Sequence, residues 1–294
     1  MKKQFDDINL RGDSLERIET INLILENYAR QGFDLTLRQL YYQLVSRDII
    51  PNNLKSYNRL GDVVNKGRLV GLIDWDMIVD RGRSTNWGAH WESPAEIVNA
   101  AANQFRIDKW EDQPWHVEVF VEKQALEGVL IPTCERLDVR FTANKGYSSQ
   151  SFMYRKGVAL REKIDEGKEI AILYLGDHDP SGLDMDRDVL ERLAAFARVE
   201  VDDLTFERLA LTREQIRQYT PPPNPAKITD SRAGRYIAKH GRVSWELDAL
   251  EPRVLAKLVS DAVLKFRDED RWDAAVKRER KMRDDLKAFA RDYR

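Results

Sequence analysis

The chain holds a single cysteine, Cys134, which excludes an intrachain disulfide and leaves no basis for a cysteine-built zinc site. Its four histidines, His90, His116, His178 and His240, lie far apart and lack zinc-ligand spacing. No run approaches the roughly 18 apolar residues of a membrane span, and the first residues are polar rather than signal-like. Charge of one sign is also missing. With 48 Lys and Arg against 50 Asp and Glu, the formal net charge is −2, so any nucleic-acid contact must come from a local basic face. No Gly-x-x-x-x-Gly-Lys-Ser/Thr loop occurs, so nothing indicates self-contained nucleotide hydrolysis. A cytoplasmic protein with no membrane partner is the expectation.

What is present is a globular composition. The 294 residues are 42% hydrophobic and 33% charged, enough for one large or two ordinary domains. From Ser14 to Arg83 the apolar spacing is helical. Leu15, Ile18, Ile21, Ile24 and Leu25 make one stripe, Leu37, Leu40, Tyr41, Leu44 and Val45 a second, and Leu60, Val63, Val64 and Leu69 a third. Gly71–Trp75 then reads as a turn into short strands, so three helices and a small hairpin suggest a winged-helix module over 1–83. Residues 84–116, rich in Trp and with Pro94 and Pro114, read as a linker carrying one helix around Ala95–Phe105.

Beyond this, strands and helices alternate: Val117–Glu122, Gln124–Leu137, Val139–Ala143, Ser149–Glu166, Ile170–Gly176 and Leu183–Phe196. That order predicts an α/β domain over 117–220 with a mainly parallel sheet. Pro221-Pro222-Pro223-Asn224-Pro225 reads as an extended hinge. A mostly helical extension, 221–294, follows, with a strand-like Val243–Leu247 and a last helix whose mixed charges read as a solvated face.

Two acidic stretches sit at strand ends: Val121-Glu122-Lys123 and Gly176-Asp177-His178-Asp179-Pro180-Ser181-Gly182. In open α/β sheets ligands bind beyond the carboxyl ends of the strands, so Glu122, Asp177 and Asp179 should converge there. Mg²⁺ takes hard oxygen ligands, one or two carboxylates plus phosphate and water. Ser181-Gly182 opens a helix whose N-terminus can face a phosphate. Taken alone, Asp177-x-Asp179 before Pro and Gly is also ordinary turn chemistry.

With Asn144-Lys145-Gly146-Tyr147-Ser148 between them, these stretches resemble the three blocks of a Toprim domain. The likeness is strongest to the A subunit of type IIB DNA topoisomerases (topoisomerase VI A and its meiotic double-strand-break relatives). Thr36-Leu37-Arg38-Gln39-Leu40-Tyr41-Tyr42 is similar to that family's Thr-x-Arg-x-x-Tyr-Tyr segment in a winged-helix domain. The resemblance implies that Glu122, Asp177 and Asp179 bind Mg²⁺ and that Tyr42 attacks DNA to give a 5′-phosphotyrosyl end. It further implies a homodimer in which each tyrosine meets the partner's Toprim site, with a separate ATPase subunit as a further partner. It covers about Ser14–Phe196. Ser148 stands where the family has proline, and the compact span from Tyr42 to Glu122 suits the small stand-alone A-like proteins of mobile elements. A phenol with pKa near 10 needs help at neutral pH, and Arg38 lies one helical turn before Tyr42. The competing reading packs Tyr41 and Tyr42 into the core, which Tyr41's place on the apolar stripe favours for that residue.

Arg47, Lys55, Arg59, Lys66 and Arg68 give the third helix a basic side suited to double-stranded DNA, interrupted by Asp48, Asp62 and Asp74. Lys123 and Lys145 are further phosphate contacts or solvated lysines, and Asp80-Arg81-Gly82-Arg83 is a wing or a tight turn. His178 should point away from the metal by strand alternation. Glu246 and Asp248 share a strand face and either extend the metal site or, the safer reading, are surface carboxylates, and Asp184 and Asp186 read as acids of a helix's first turns. The leading expectation is Mg²⁺-dependent DNA cleavage with Tyr42, Arg38 and Glu122 as catalytic groups, in a nucleoid-associated protein. Its rivals are a hydrolytic Toprim nuclease and a DNA-binding adaptor without activity.

Overall fold

A computed structural model describes residues 2–10, 12–79, 90–144, 148–226, 230 and 232–292. Three helices open the chain: α1 (Gly12–Arg30), α2 (Leu37–Val45) and α3 (Leu54–Leu69). Their starts are written in the sequence. Thr36 Oγ1 accepts from the Gln39 N–H while Gln39 Oε1 accepts from the Thr36 N–H, a capping box, and Asn53 caps α3. Ile21, Leu25, Leu40, Leu44, Leu60 and Val64 interlock as a helical core, and Tyr41 and Tyr42 both lie inside it. Between Val70 and Val79 the chain makes turns and two single bridges, Gln4 with Val70 and Leu35 with Ile78. Among the described residues no hairpin follows α3, and Asp80–Arg83 lies outside them.

Then come α4 (Pro94–Gln104), β1 (Trp115–Val121), α5 (Glu127–Leu137), β2 (Arg140–Ala143), α6 (Gln150–Asp165), β3 (Glu169–Leu175), α7 (Gly182–Ala197) and β4 (Leu204–Ala210). The four strands form one sheet in the order β2-β1-β3-β4, and every pairing is parallel. The expected α/β arrangement with a parallel sheet is what the chain adopts. β1 and β3 are central and covered on both faces, which explains their near-continuous apolar runs. Alternate residues separate the two sides: Val117, Val119, Val121, Leu173 and Leu175 face α5, while Phe120, Ile172 and Tyr174 face α6 and α7.

The rest of the chain is α8 (Arg213–Tyr219), β5 (Asn224–Pro225), α9 (Ala233–His240), β6 (Val243–Ser244), α10 (Pro252–Leu264) and α11 (Glu269–Asp292). Here three segments pack more closely against the sheet domain than their sequence suggests. The segment before β1 is no free linker: Trp110 is buried in the sheet's core, and its indole donates to the Leu137 carbonyl at 2.9 Å. The tail is no appendage, because Leu255, Val259 and Val263 of α10 complete the layer over the sheet. Nor is the proline run a hinge, since Pro221 and Pro222 are buried and β5 pairs antiparallel with β6. The mixed-charge α11 also has a seated face. Glu279 is buried and pairs with Lys109 at 2.6 Å.

Candidate functional site

The site forms where β1 and β3 end. Glu122 follows β1 and Asp177 and Asp179 follow β3, and all three carboxylates are buried. Glu122 Oε2 accepts the Asp177 N–H at 2.8 Å, a bond that ties the two strand ends together. Asp179 Oδ1 accepts the Gly182 N–H at 2.6 Å and the Ser181 hydroxyl at 3.0 Å, so Asp179 is the side chain that caps α7. Glycine is required here for space. A Cβ at Gly182 would stand 2.4 Å from the Asp177 carbonyl oxygen, and one at Gly176 would stand 2.9 Å from Glu122 Oε2.

Burial, reinforced by the Asp179 charge, holds the Glu122 carboxyl above the usual range. Asp177 is pushed up to about 7 by burial; Glu122 and Asp248 add to this, while Lys123 and the Leu247 N–H oppose it. His178 turns the other way, as strand alternation predicts. Its Nδ1 meets the Tyr236 hydroxyl at 2.9 Å, its ring packs beside His240 and Trp245, and burial pushes it down to about 4.

Three residues complete this centre, of which only one was identified from sequence as a site residue. Lys123 is half-buried. Its ammonium lies 3.0 Å from Asp177 Oδ1, 2.8 Å from Glu246 Oε2 and 2.9 Å from Asp248 Oδ1. It therefore bridges acids from two parts of the chain. Glu246 and Asp248 are not surface carboxylates; Asp248 has 1% of its side chain exposed. The turn after β6 carries them in, anchored by a bridge between Trp245 and His178 and by the Leu247 N–H, which donates to Asp177 Oδ1 at 2.8 Å.

Arg208, on β4, drew no attention in the sequence. Its guanidinium donates to the carbonyls of Gly176 at 3.0 Å and Asp177 at 2.6 Å and to Asp186 at 2.8 Å, clamping the acidic turn from behind. An arginine near the end of the strand Leu204–Ala210, beside Glu207, was the available signal. Asp186 thus holds Arg208, and Asp184 pairs with Arg187 and Arg232, so both do more than favour a helix dipole.

The tyrosine segment reaches the same place. Arg38 Nη2 lies 2.5 Å from Glu246 Oε2 and 3.4 Å from the Tyr42 hydroxyl. Its Nε is 3.3 Å from Asp248 Oδ2, an ion pair without hydrogen-bond geometry. Burial, together with Asp248 and Glu246, pushes the Tyr42 phenol up to about 12, against Arg38 and an Asn224 hydrogen bond. Tyr42 is buried, yet it lines a cleft of about 240 Å³ with Arg38, Tyr41, Asn52 and Tyr57. Tyr41 is held by Asn52 Oδ1 at 2.8 Å. One polar chain therefore runs within a single molecule from Tyr42 through Arg38, Glu246 and Lys123 to Asp177.

The proposed DNA contacts divide. Lys55, Arg59 and Lys66 are exposed along one face of α3, with Asp62 among them. Arg47 is exposed but bonded to Gln43. Arg68 is not available, because it donates to the carbonyls of Trp75 and Ile78 and stacks over the Trp75 ring. Lys145 lies outside the described residues.

A metal at Glu122, Asp177 and Asp179 would find buried oxygen donors, which suit a hard dication. The acids are not gathered into a cage: among the described residues no three His, Cys, Asp or Glu side chains stand ready to ligate one ion. The Lys123 ammonium stands among them instead. No helix among the described residues is long and apolar enough to cross a membrane. Compared with known proteins, the chain matches no family model, no curated protein and no solved structure.

Proposed function

We propose that this chain cleaves DNA phosphodiesters with Mg²⁺, as a Toprim domain joined to a winged-helix module in the manner of a topoisomerase VI A subunit. The observation that carries the reading is the polar chain joining Tyr42 to Asp177 through Arg38, Glu246 and Lys123, which lies within one molecule where the resemblance implies that the tyrosine meets the partner's site. It brings a nucleophile, two cations and strand-end carboxylates to one place. Glu122 and Asp177, with Asp179, are the groups to hold the ion, which when bound neutralises charge on the phosphate and on the attacking or leaving oxygen. Tyr42 Oη attacks phosphorus, the bond from phosphorus to the 3′ oxygen breaks, the phenolic proton leaves, and the 3′ oxygen ends as a hydroxyl. Arg38 stabilises the phenolate and the phosphate oxygens. Exposed Lys55, Arg59 and Lys66 contact the DNA backbone.

A second reading is favoured by the burial of Tyr42 and its phenol at about 12, which together disfavour tyrosine as nucleophile. Water then attacks under the same carboxylates, as in a hydrolytic Toprim nuclease. A supercoiled-plasmid assay with Mg²⁺ separates the two. Asp177→Ala abolishes nicking in both, whereas Tyr42→Phe abolishes nicking and protein-linked 5′ ends only in the first. Absence of nicking by the wild type with every divalent ion leaves the adaptor reading.

A further inference from the structure

Glu246 occupies an unusual position for a carboxylate. Arg38 Nη2 reaches its Oε2 at 2.5 Å and Lys123 Nζ reaches the same oxygen at 2.8 Å, while Asn224 Nδ2 donates to Oε1 at 3.3 Å. The three donors come from α2, from the turn after β1 and from β5. Asp248 lies behind the same two cations, 3.3 Å from Arg38 and 2.9 Å from Lys123, while the two cations and the amide that converge on Glu246 make a donor set of the kind that takes a phosphodiester. Arg38 keeps half of its side chain exposed, so the site opens to solvent. We propose that Arg38, Lys123 and Asn224 form the DNA-phosphate site of this chain and that Glu246 occupies it as an internal substitute, its side chain swinging out when DNA binds while Asp248 stays in place. This rests on the DNA-cleaving reading above.

The strap that carries Glu246, residues 245–248, is anchored on both sides of it: Trp245 and His178 exchange two backbone hydrogen bonds, and Leu247 is buried in the sheet's core with its N–H on Asp177. Glu246 retains 22% side-chain exposure, against 1% for Asp248. Departure of Glu246 therefore leaves Lys123 with Asp177 and Asp248, so the buried ammonium stays paired. With Glu246 seated, both cations are consumed by the chain itself. A phosphate must displace it, so apparent affinity falls with the fraction of molecules whose site is open.

Binding of a labelled DNA duplex, measured by anisotropy with EDTA present, tests this apart from cleavage. Glu246→Gln should tighten binding by about fivefold or more, because the site is then no longer self-occupied. Glu251→Gln, which removes an equal charge from the exposed Glu251–Arg253 pair, should change it little. Adding Lys123→Met to Glu246→Gln should remove the gain. Unchanged or weaker binding by folded Glu246→Gln, or an equal gain from Glu251→Gln, overturns the proposal. Should Glu246→Gln not fold, Glu246→Ser decides in the same assay, and unchanged or weaker binding by the folded variant overturns the proposal. A Tyr42→Phe variant that still cleaves would refute the covalent mechanism and leave these outcomes untouched.

Discussion

The Leu247 N–H donates to Asp177 Oδ1 at 2.8 Å across 70 residues of sequence, so the tail holds the acid on which the site depends. Lys123 grips the same oxygen at 3.0 Å. Asp177 is thus fixed by partners that precede it and follow it in the chain.

Stability should respond to pH through Asp177. Its folded carboxyl, pushed up to about 7, lies above its ordinary 3.8, so the folded chain holds the proton more tightly. That contribution is full below 3.8 and is lost as pH rises through about 7. Asp177→Asn removes it, so the melting temperature of the variant relative to wild type should climb from about pH 5 to about pH 8. His178, pushed down to about 4, works oppositely as pH falls from 6.5 but is common to both proteins and cancels in the difference. At the upper pH, Mg²⁺ at a hundredfold its dissociation constant should raise wild-type stability by about 2.7 kcal/mol and the variant's far less.

Gly182→Ala should destabilise the fold by about 1–3 kcal/mol in urea, the usual cost of overpacking. The new methyl has only the Asp177 carbonyl, 2.4 Å away, and Glu122 Oε2, 3.1 Å away, to push against. Plasmid nicking should fall further than stability does, because both displaced groups belong to the site.

Arg208→Lys should fail to rescue the loss seen in Arg208→Met. A single ammonium cannot serve the Gly176 and Asp177 carbonyls and Asp186 in the geometry of a planar fork. Each carbonyl left buried without a donor costs about 1–3 kcal/mol, measurable as a lowered urea midpoint in both variants.

The basic residues of α3 should separate by assay. Lys55→Gln, Arg59→Gln and Lys66→Gln should leave the melting temperature in place. Each should reduce the slope of log affinity against log salt by about 0.9 for duplex DNA. Arg68→Gln should instead lower the melting temperature, since it frees the 72–78 turn from its two carbonyl bonds and its ring contact.

The sheet was legible because its signals are local. Apolar runs bounded by Gly and Pro gave β1 and β3, helical spacing gave α1 to α3, and strand-end placement brought Glu122 to Asp177. What sequence reading missed depends on long-range partners. Glu246 and Asp248 look like any exposed acids until the chain turns back over β3, and Lys123 looks solvated until they arrive. Arg208 and Asn224 offered one of two adjacent charges in a mixed strand and one amide among prolines, signals too weak to place. Asp179 shows a further limit: cap and metal ligand use the same residue at the same spacing.

Separation along the chain gives the centre a folding order. Arg38 and Glu246 lie 208 residues apart, Lys123 and Glu246 123, and Asp177 and Leu247 70. Contacts of such span close only after the loop entropy between them has been spent, and a chain emerging from the ribosome cannot make them early. The sheet strands, β1 through β4, are synthesised well before the strap exists. Asp177 and Lys123 must wait for residues 245–248, so the centre closes last, at the same moment that its own carboxylate seals it.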